Sequence, residues 1–264
     1  MGKSIGIISI KGGVGKTSVV AALGSAFAEF NKKVLLVDAN FSSPNLGIHL
    51  NVINPRFTIH HVLDNIANVK NAIYKLEKFD VLPASIFYKG NISPLKLKDK
   101  ISLLKRQYDI ILIDSSPALN EETLAAMLAS DEIFVVTTPD FPTLSTTLKA
   151  IKIAKQRGTP ISGLILNKVY NKKFELSLEN IENTAEVPIM AVIPYDVCVL
   201  KALSNFTSST DYKPKSEGSE EYKKLAAVLL GEQYKPARLR NLFGWISPKK
   251  QDINRVIFYD SVFG

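Results

Sequence analysis

The chain has 264 residues, 46% of them hydrophobic, which suits one large α/β domain, or a domain with a tail, and is enough to fill a core. No apolar run reaches about 18 residues, so no membrane-crossing helix is expected, and one cysteine, Cys198, excludes an intrachain disulfide or a cysteine-held cluster within one chain. The net charge of +8 favours an anionic surface, membrane or nucleic acid, although solubility alone also explains it. A strand begins within about five residues of Met1, so no signal peptide and a cytoplasmic setting are expected.

Residues 5–17 read Ile-Gly-Ile-Ile-Ser-Ile-Lys-Gly-Gly-Val-Gly-Lys-Thr. Ile5 to Ile10 is an apolar run suited to a strand buried on both faces. From Ser18 to Phe30 the pattern turns helical, with Val19, Leu23, Ala26 and Phe27 on one side. Strand, glycine loop and helix form the context of a phosphate-binding loop. Gly12, Gly13 and Gly15 let backbone N–H groups converge on phosphate oxygens, and the helix N-terminus adds partial positive charge. Lys16 supplies a point charge for the β- and γ-phosphates, and the Thr17 hydroxyl is a magnesium ligand. Val14 and Ser18 complete the binding stretch.

The standard pattern has a glycine where Ile10 stands, and a second lysine, Lys11, heads the loop. Lys-Gly-Gly-Val-Gly-Lys-Thr resembles the deviant Walker A motif of the MinD/ParA family of ATPases. The resemblance implies that Lys11 crosses a nucleotide-sandwich dimer to the partner's phosphates. It runs from about residue 3 to 230, most of the chain.

Lys33 to Asp38 reads as a second buried strand, and the turn-rich segment Ala39 to Leu50 follows. Strand C-terminal ends face the ligand in a doubly wound sheet, which aims Asp38 at the magnesium zone. This segment resembles switch I of the family, where a second acidic residue positions the attacking water. Here Asn40 holds that place. An amide can orient water but takes no proton, so hydrolysis is expected to be slow; alternatively Asn40 only forms a turn.

His60 and His61 fall on a short surface helix with no third ligand spaced nearby, which argues against a metal site. Phe79 to Pro83 suggests a third strand, and Ser93 to Tyr108 a helix with a solvated basic face. Tyr108 to Asp114 is four apolar residues leading into an aspartate, the Walker B pattern, with Asp114 ordering magnesium-bound water. Helix Glu121–Ala129, strand Glu132–Val136, helix Thr143–Gln156 and strand Ile161–Leu166 continue the alternation, and Ile189 to Ile193 is a further strand. The resemblance implies that Asn167 hydrogen-bonds adenine, and that the loop with Pro194 and Asp196 packs over the base. Residues 207–219 read as loop, and Glu220 to Leu230 as a helix stopped at Gly231. The order implies a three-layer, mostly parallel doubly wound sheet with helices on both faces.

The chain is thus read as an ATPase domain, 1–231, and a basic amphipathic tail, 232–264. Leu239, Leu242, Phe243 and Ile246 share one helical face, with Trp245 flanking it and Arg238, Arg240 and Asn241 away from it. Residues 235–250 suit an anionic membrane interface at the inner face of the cell membrane, and resemble the membrane-targeting sequence of MinD proteins; docking on protein is the alternative. Ile253 to Phe263 reads as a strand or a second docking segment.

The expected function is a MinD-like ATPase that binds Mg-ATP, dimerises across the nucleotide, answers to an activating partner protein and acts in spatial positioning. A ParA-like DNA partition ATPase and a non-hydrolysing ATP-dependent scaffold are the alternatives. An iron–sulfur relative ranks last, because one cysteine supplies too few ligands.

Overall fold

Val34–Ala39, Ile110–Ser115 and Glu132–Thr137 are buried at every position, as strands covered on both faces must be. The computed structural model describes residues 1–232, 234 and 249–264. Their strands are β1 (Lys3–Ile8), β2 (Val34–Ala39), β3 (Tyr74–Lys75), β4 (Asp80–Leu82), β5 (Ile110–Ser115), β6 (Glu132–Thr137), β7 (Ile161–Val169) and β8 (Ile189–Pro194). The helices are α1 (Lys16–Glu29), α2 (Leu46–His49), α3 (Ile59–Leu63), α4 (Leu97–Leu104), α5 (Glu121–Leu128), α6 (Phe141–Gln156), α7 (Leu178–Ala185), α8 (Cys198–Ser204), α9 (Ser209–Tyr212), α10 (Glu217–Leu229) and α11 (Lys250–Phe263). None of the described helices is long and apolar enough to cross a membrane.

The strands form one sheet in the order β3-β4-β2-β5-β1-β6-β7-β8. Only β3, which the sequence did not announce, runs antiparallel to its neighbour β4. The chain leaves β1 toward β2, returns to place β5 beside β1, then crosses to β6 on the other side. The order reverses at β1, so a crevice opens at the carboxyl ends of β1 and β5. The ends of β2, β5 and β1 lie side by side, with Asp38 in register with Asp114 and Asp114 with Ile7.

Each face has its own core. On one, Val19, Leu23 and Phe27 of α1 and Leu225 and Leu229 of α10 pack on Ile5, Ile7, Leu36 and Leu112. On the other, α3 to α7 cover Leu35, Val37, Ile111 and Val135. Phe27 and Leu23 are fully buried, and each contributes about 2–3 kcal/mol by leaving water. That burial fixes α1, and with it the loop before it.

Several expectations change. Residues 207–219 are not a loop: they contain α9 and the start of α10. Serines that read as turn formers are helix caps, with Ser208 Oγ accepting from Asp211 N at 3.0 Å and Ser216 Oγ from Ser219 N at 3.2 Å. The helix expected over Ser93–Tyr108 opens with a 3₁₀ turn at Pro94–Lys96 and spans only Leu97–Leu104. The helix with His60 and His61 is α3, but His60 is buried rather than at the surface. The α7 and α8 helices were not foreseen. The amphipathic stripe from Leu239 to Ile246 lies outside the described residues.

The segment Ile253–Phe263 is not a strand but part of α11, which packs on β8 and α10. Arg255 Nη1 donates to the Met190 carbonyl and to Glu221 Oε2, both at 2.9 Å, in a buried ion pair. Asn254 Nδ2 donates to the Ile189 carbonyl at 2.8 Å. Arg255→Ala is expected to cost about 3 kcal/mol, at the lower end for a broken buried pair because Lys224 still reaches Glu221 at 3.0 Å. Urea denaturation measures it, and an unchanged midpoint would mean that α11 adds nothing to the body.

Candidate active site

The loop between β1 and α1 needs glycine at two positions. Gly13 has φ +79° and Gly15 φ +96°, both left-handed. A Cβ on Gly15 would also lie 2.5 Å from Asn167 Nδ2. That approach has a use: Asn167 Nδ2 donates to the Val14 carbonyl at 2.7 Å, and Lys168 Nζ donates to the Gly13 carbonyl at 2.6 Å. The end of β7 thereby occupies loop carbonyls. Helix α1 has no side-chain N-cap, so its first amides are left for an external acceptor. Lys11, Gly12 and Gly13 are exposed, Val14 and Lys16 buried, and Gly15, Thr17 and Ser18 half-buried. Ser18 Oγ lies 3.4 Å from His49 Nε2.

Lys16 feels the charge of Asp114. Burial pushes its ammonium below the ordinary value, and the Asp114 charge opposes that. Thr17 Oγ1 donates to Asp114 Oδ2 at 2.7 Å. Asp38 is fully buried; its Oδ1 accepts from Asn40 N at 3.1 Å, and its Oδ2 from Asn45 N at 3.2 Å and Leu46 N at 3.1 Å. Burial and then the Asp114 charge raise its pKa to about 8, against those three bonds. Burial raises Asp114 to about 6, against the Thr17 bond and the Lys16 charge. Asp114 Oδ1 is buried with no hydrogen-bond partner among the described residues.

Two buried carboxyls in register, one with a bare oxygen beside a hydroxyl, are a hard-oxygen donor set for a divalent cation. A cation there offsets the burial that raises both carboxyls and the Asp114 charge that adds to it at Asp38, so the residues fit a magnesium ion.

Asn40 is buried. Its Nδ2 donates to the Ser43 carbonyl, and its Oδ1 has no partner among the described residues. The side chain therefore spends its donor on its own loop and keeps its acceptor. Pro194 ends β8 in register with Val169. Asp196 Oδ1 accepts from Cys198 N at 2.8 Å, and this bond is the largest cause holding its carboxyl below the ordinary range. Its carboxylate is thus spent on the turn into α8.

The structure adds residues that the sequence did not single out. The Tyr195 ring stacks on Tyr170 at 4.7 Å. A cavity of about 430 Å³ opens beside Lys11, Gly12 and Gly13, walled by Lys168, Tyr170 and Phe174. Its lining does not include Lys16, Thr17, Asp38 or Asp114. Lys168 has φ +57°, a backbone state that nothing in its neighbours' identities signals.

A family model described as an AAA domain matches residues 2–160, more than half of the chain. An uncharacterised ATP-binding protein of Methanocaldococcus jannaschii is 35% identical over 237 residues, covering 89% of this chain and 90% of its own. The septum site-determining protein MinD of Thermotoga maritima is 33% identical over 245 residues, covering 88% and 89%. Among solved structures, the septum site-determining protein MinD of Pyrococcus horikoshii complexed with Mg-ADP superposes with a TM-score of 0.81. It is 34% identical, and the match covers 87% of this chain and 96% of that one.

The paired carboxyls set a pH dependence. Both bind protons more tightly in the folded state than in the unfolded one. Their stabilisation is therefore complete below the ordinary aspartate value of 3.8 and is lost as pH rises through about 6 and about 8. Without nucleotide or divalent cation, the urea midpoint is expected to fall between about pH 5 and about pH 8.5. Asp114→Asn is expected to flatten that slope, because it removes one titration and the charge acting on Asp38.

Proposed function

The chain belongs to the MinD/ParA family of deviant Walker A P-loop ATPases, and on that premise we propose that it binds Mg-ATP, hydrolyses it slowly, dimerises across the nucleotide and acts in spatial positioning. The observation that carries this reading is the pair Asp38 and Asp114 at adjacent strand ends, with Thr17 of α1 bonded to Asp114 just after a left-handed glycine loop and Lys16 beside it.

The amides from Gly12 to Ser18 donate to the phosphate oxygens, and Lys16 places its charge on the β- and γ-phosphates. Thr17, Asp38 and Asp114 would hold the magnesium ion and its water shell. The ion, when bound, offsets charge on the phosphate oxygens. Lys11, exposed at the head of the loop, reaches the phosphates of a second copy. On the base side, Asn167 has committed Nδ2 to Val14, so its Oδ1 is the atom that meets adenine, and the backbone from Pro194 to Asp196 lies over the ring.

Asn40 Oδ1 accepts a hydrogen bond from the attacking water. The water oxygen forms the new bond to the γ-phosphorus as the bond to ADP breaks, and the proton leaves on the released phosphate. An amide cannot take that proton, which makes turnover slow. A scaffold that binds ATP without hydrolysing it is the second reading, and Asn40 is what favours it. Residues 235–250 carry basic and aromatic side chains suited to an anionic membrane surface. An activating partner protein would raise the rate.

Turnover and mass in solution test the reading together. Lys16→Ala is expected to lower turnover by about 100-fold or more, as loss of a main phosphate charge does. Asn40→Asp is expected to raise it several-fold, and an unchanged rate would clear Asn40 as the limiting group. A non-hydrolysable ATP analogue should double the mass where ADP does not; one mass in both would remove the nucleotide-gated dimer. Replacing Phe243 and Trp245 with serine should weaken sedimentation with anionic vesicles, and equal sedimentation would remove the membrane surface.

A further inference from the structure

Ser42 lies at the surface on the loop after β2, two residues beyond Asn40. Its backbone N–H donates to Glu122 Oε1 at 3.0 Å, and its hydroxyl donates to the same oxygen. Glu122 sits in the first turn of α5 and is 7% exposed. Its other oxygen, Oε2, is buried and has no partner among the described residues.

This arrangement is a poor way to gain stability. A buried carboxylate with one bare oxygen costs more than an apolar side chain of similar size. The serine needs no partner either, since water would serve an exposed N–H and hydroxyl. The α5 N-terminus tolerates the charge but does not call for the contact. What the contact does is mechanical. The rest of the loop is tied to its own strand: Asp38 holds the amides of Asn40, Asn45 and Leu46. Glu122 instead ties the loop to α5, the helix reached from Asp114 through residues 115–120.

We propose that Glu122 is a positioning residue, a latch that holds the Asn40-bearing loop on α5 and fixes the Asn40 carbonyl oxygen relative to Asp114. The two loops flanking the cation site then move as one unit, or the latch breaks. The link to turnover rests on the ATPase reading above; the latch itself does not.

Hydrogen exchange over residues 40–46 without nucleotide, and steady-state ATP turnover, test this on the full chain. In Glu122→Ala, exchange at Ser42 should rise about tenfold or more, as loss of a charge-assisted bond permits, with β1 and β5 unchanged. The kcat should fall by a similar, about tenfold, factor with KM within about twofold, the signature of lost transition-state positioning. Glu122→Gln keeps an acceptor for Ser42 and should restore most of both. Unchanged exchange over 40–46 would overturn the latch, as would an equal rise across the whole sheet. Faster exchange with unaltered kcat would overturn the positioning role. Exchange that responds as expected in a protein that turns over no ATP would sustain the latch and remove the ATPase reading instead.

Discussion

Everything at the carboxyl edge depends on two acids that repel each other. Asp38 and Asp114 sit in register on neighbouring strands, buried, with one oxygen left bare. The sheet could not hold them so without help. Three backbone amides hold one carboxylate, a threonine hydroxyl holds the other, and a buried lysine supplies compensating charge. A pair of carboxyls kept under such tension gains more from a nearby positive charge than from a neutral molecule.

The glycine loop is the second half of that design, and its shape is imposed from a distance. The residues at the end of β7 occupy two loop carbonyls, which settles where the loop's own amides point. The strand that closes one side of the site therefore also shapes its floor. Helix α1 completes the frame, because its apolar face is sealed into the core while its first turn is left bare.

The legible parts were those whose chemistry is written in one stretch. Ile5 to Thr17 announces strand, loop and helix, and the apolar runs ending at Asp38 and Asp114 announce their strands. What stayed hidden depends on partners far along the chain. Asn167 could be singled out by its place at a strand end, but not its bond to a residue 153 positions earlier. Glu122 looked like an ordinary acidic residue in a first helical turn, and its contact with Ser42 spans 80 positions. Ser208 and Ser216 were misread because a helix cap and a turn use the same side chains. Helix α11 escaped because its inward anchors are Asn254 and Arg255, polar residues that an apolar pattern does not count.

The seating of α11 has a consequence at the border of the sheet. On β8, the last of the described strands in the sheet order, the Ile189 N–H donates to Glu182 Oε1 at 2.7 Å and its carbonyl accepts from Asn254 of α11. Backbone groups on that margin are thereby taken, which discourages a foreign strand from adding there.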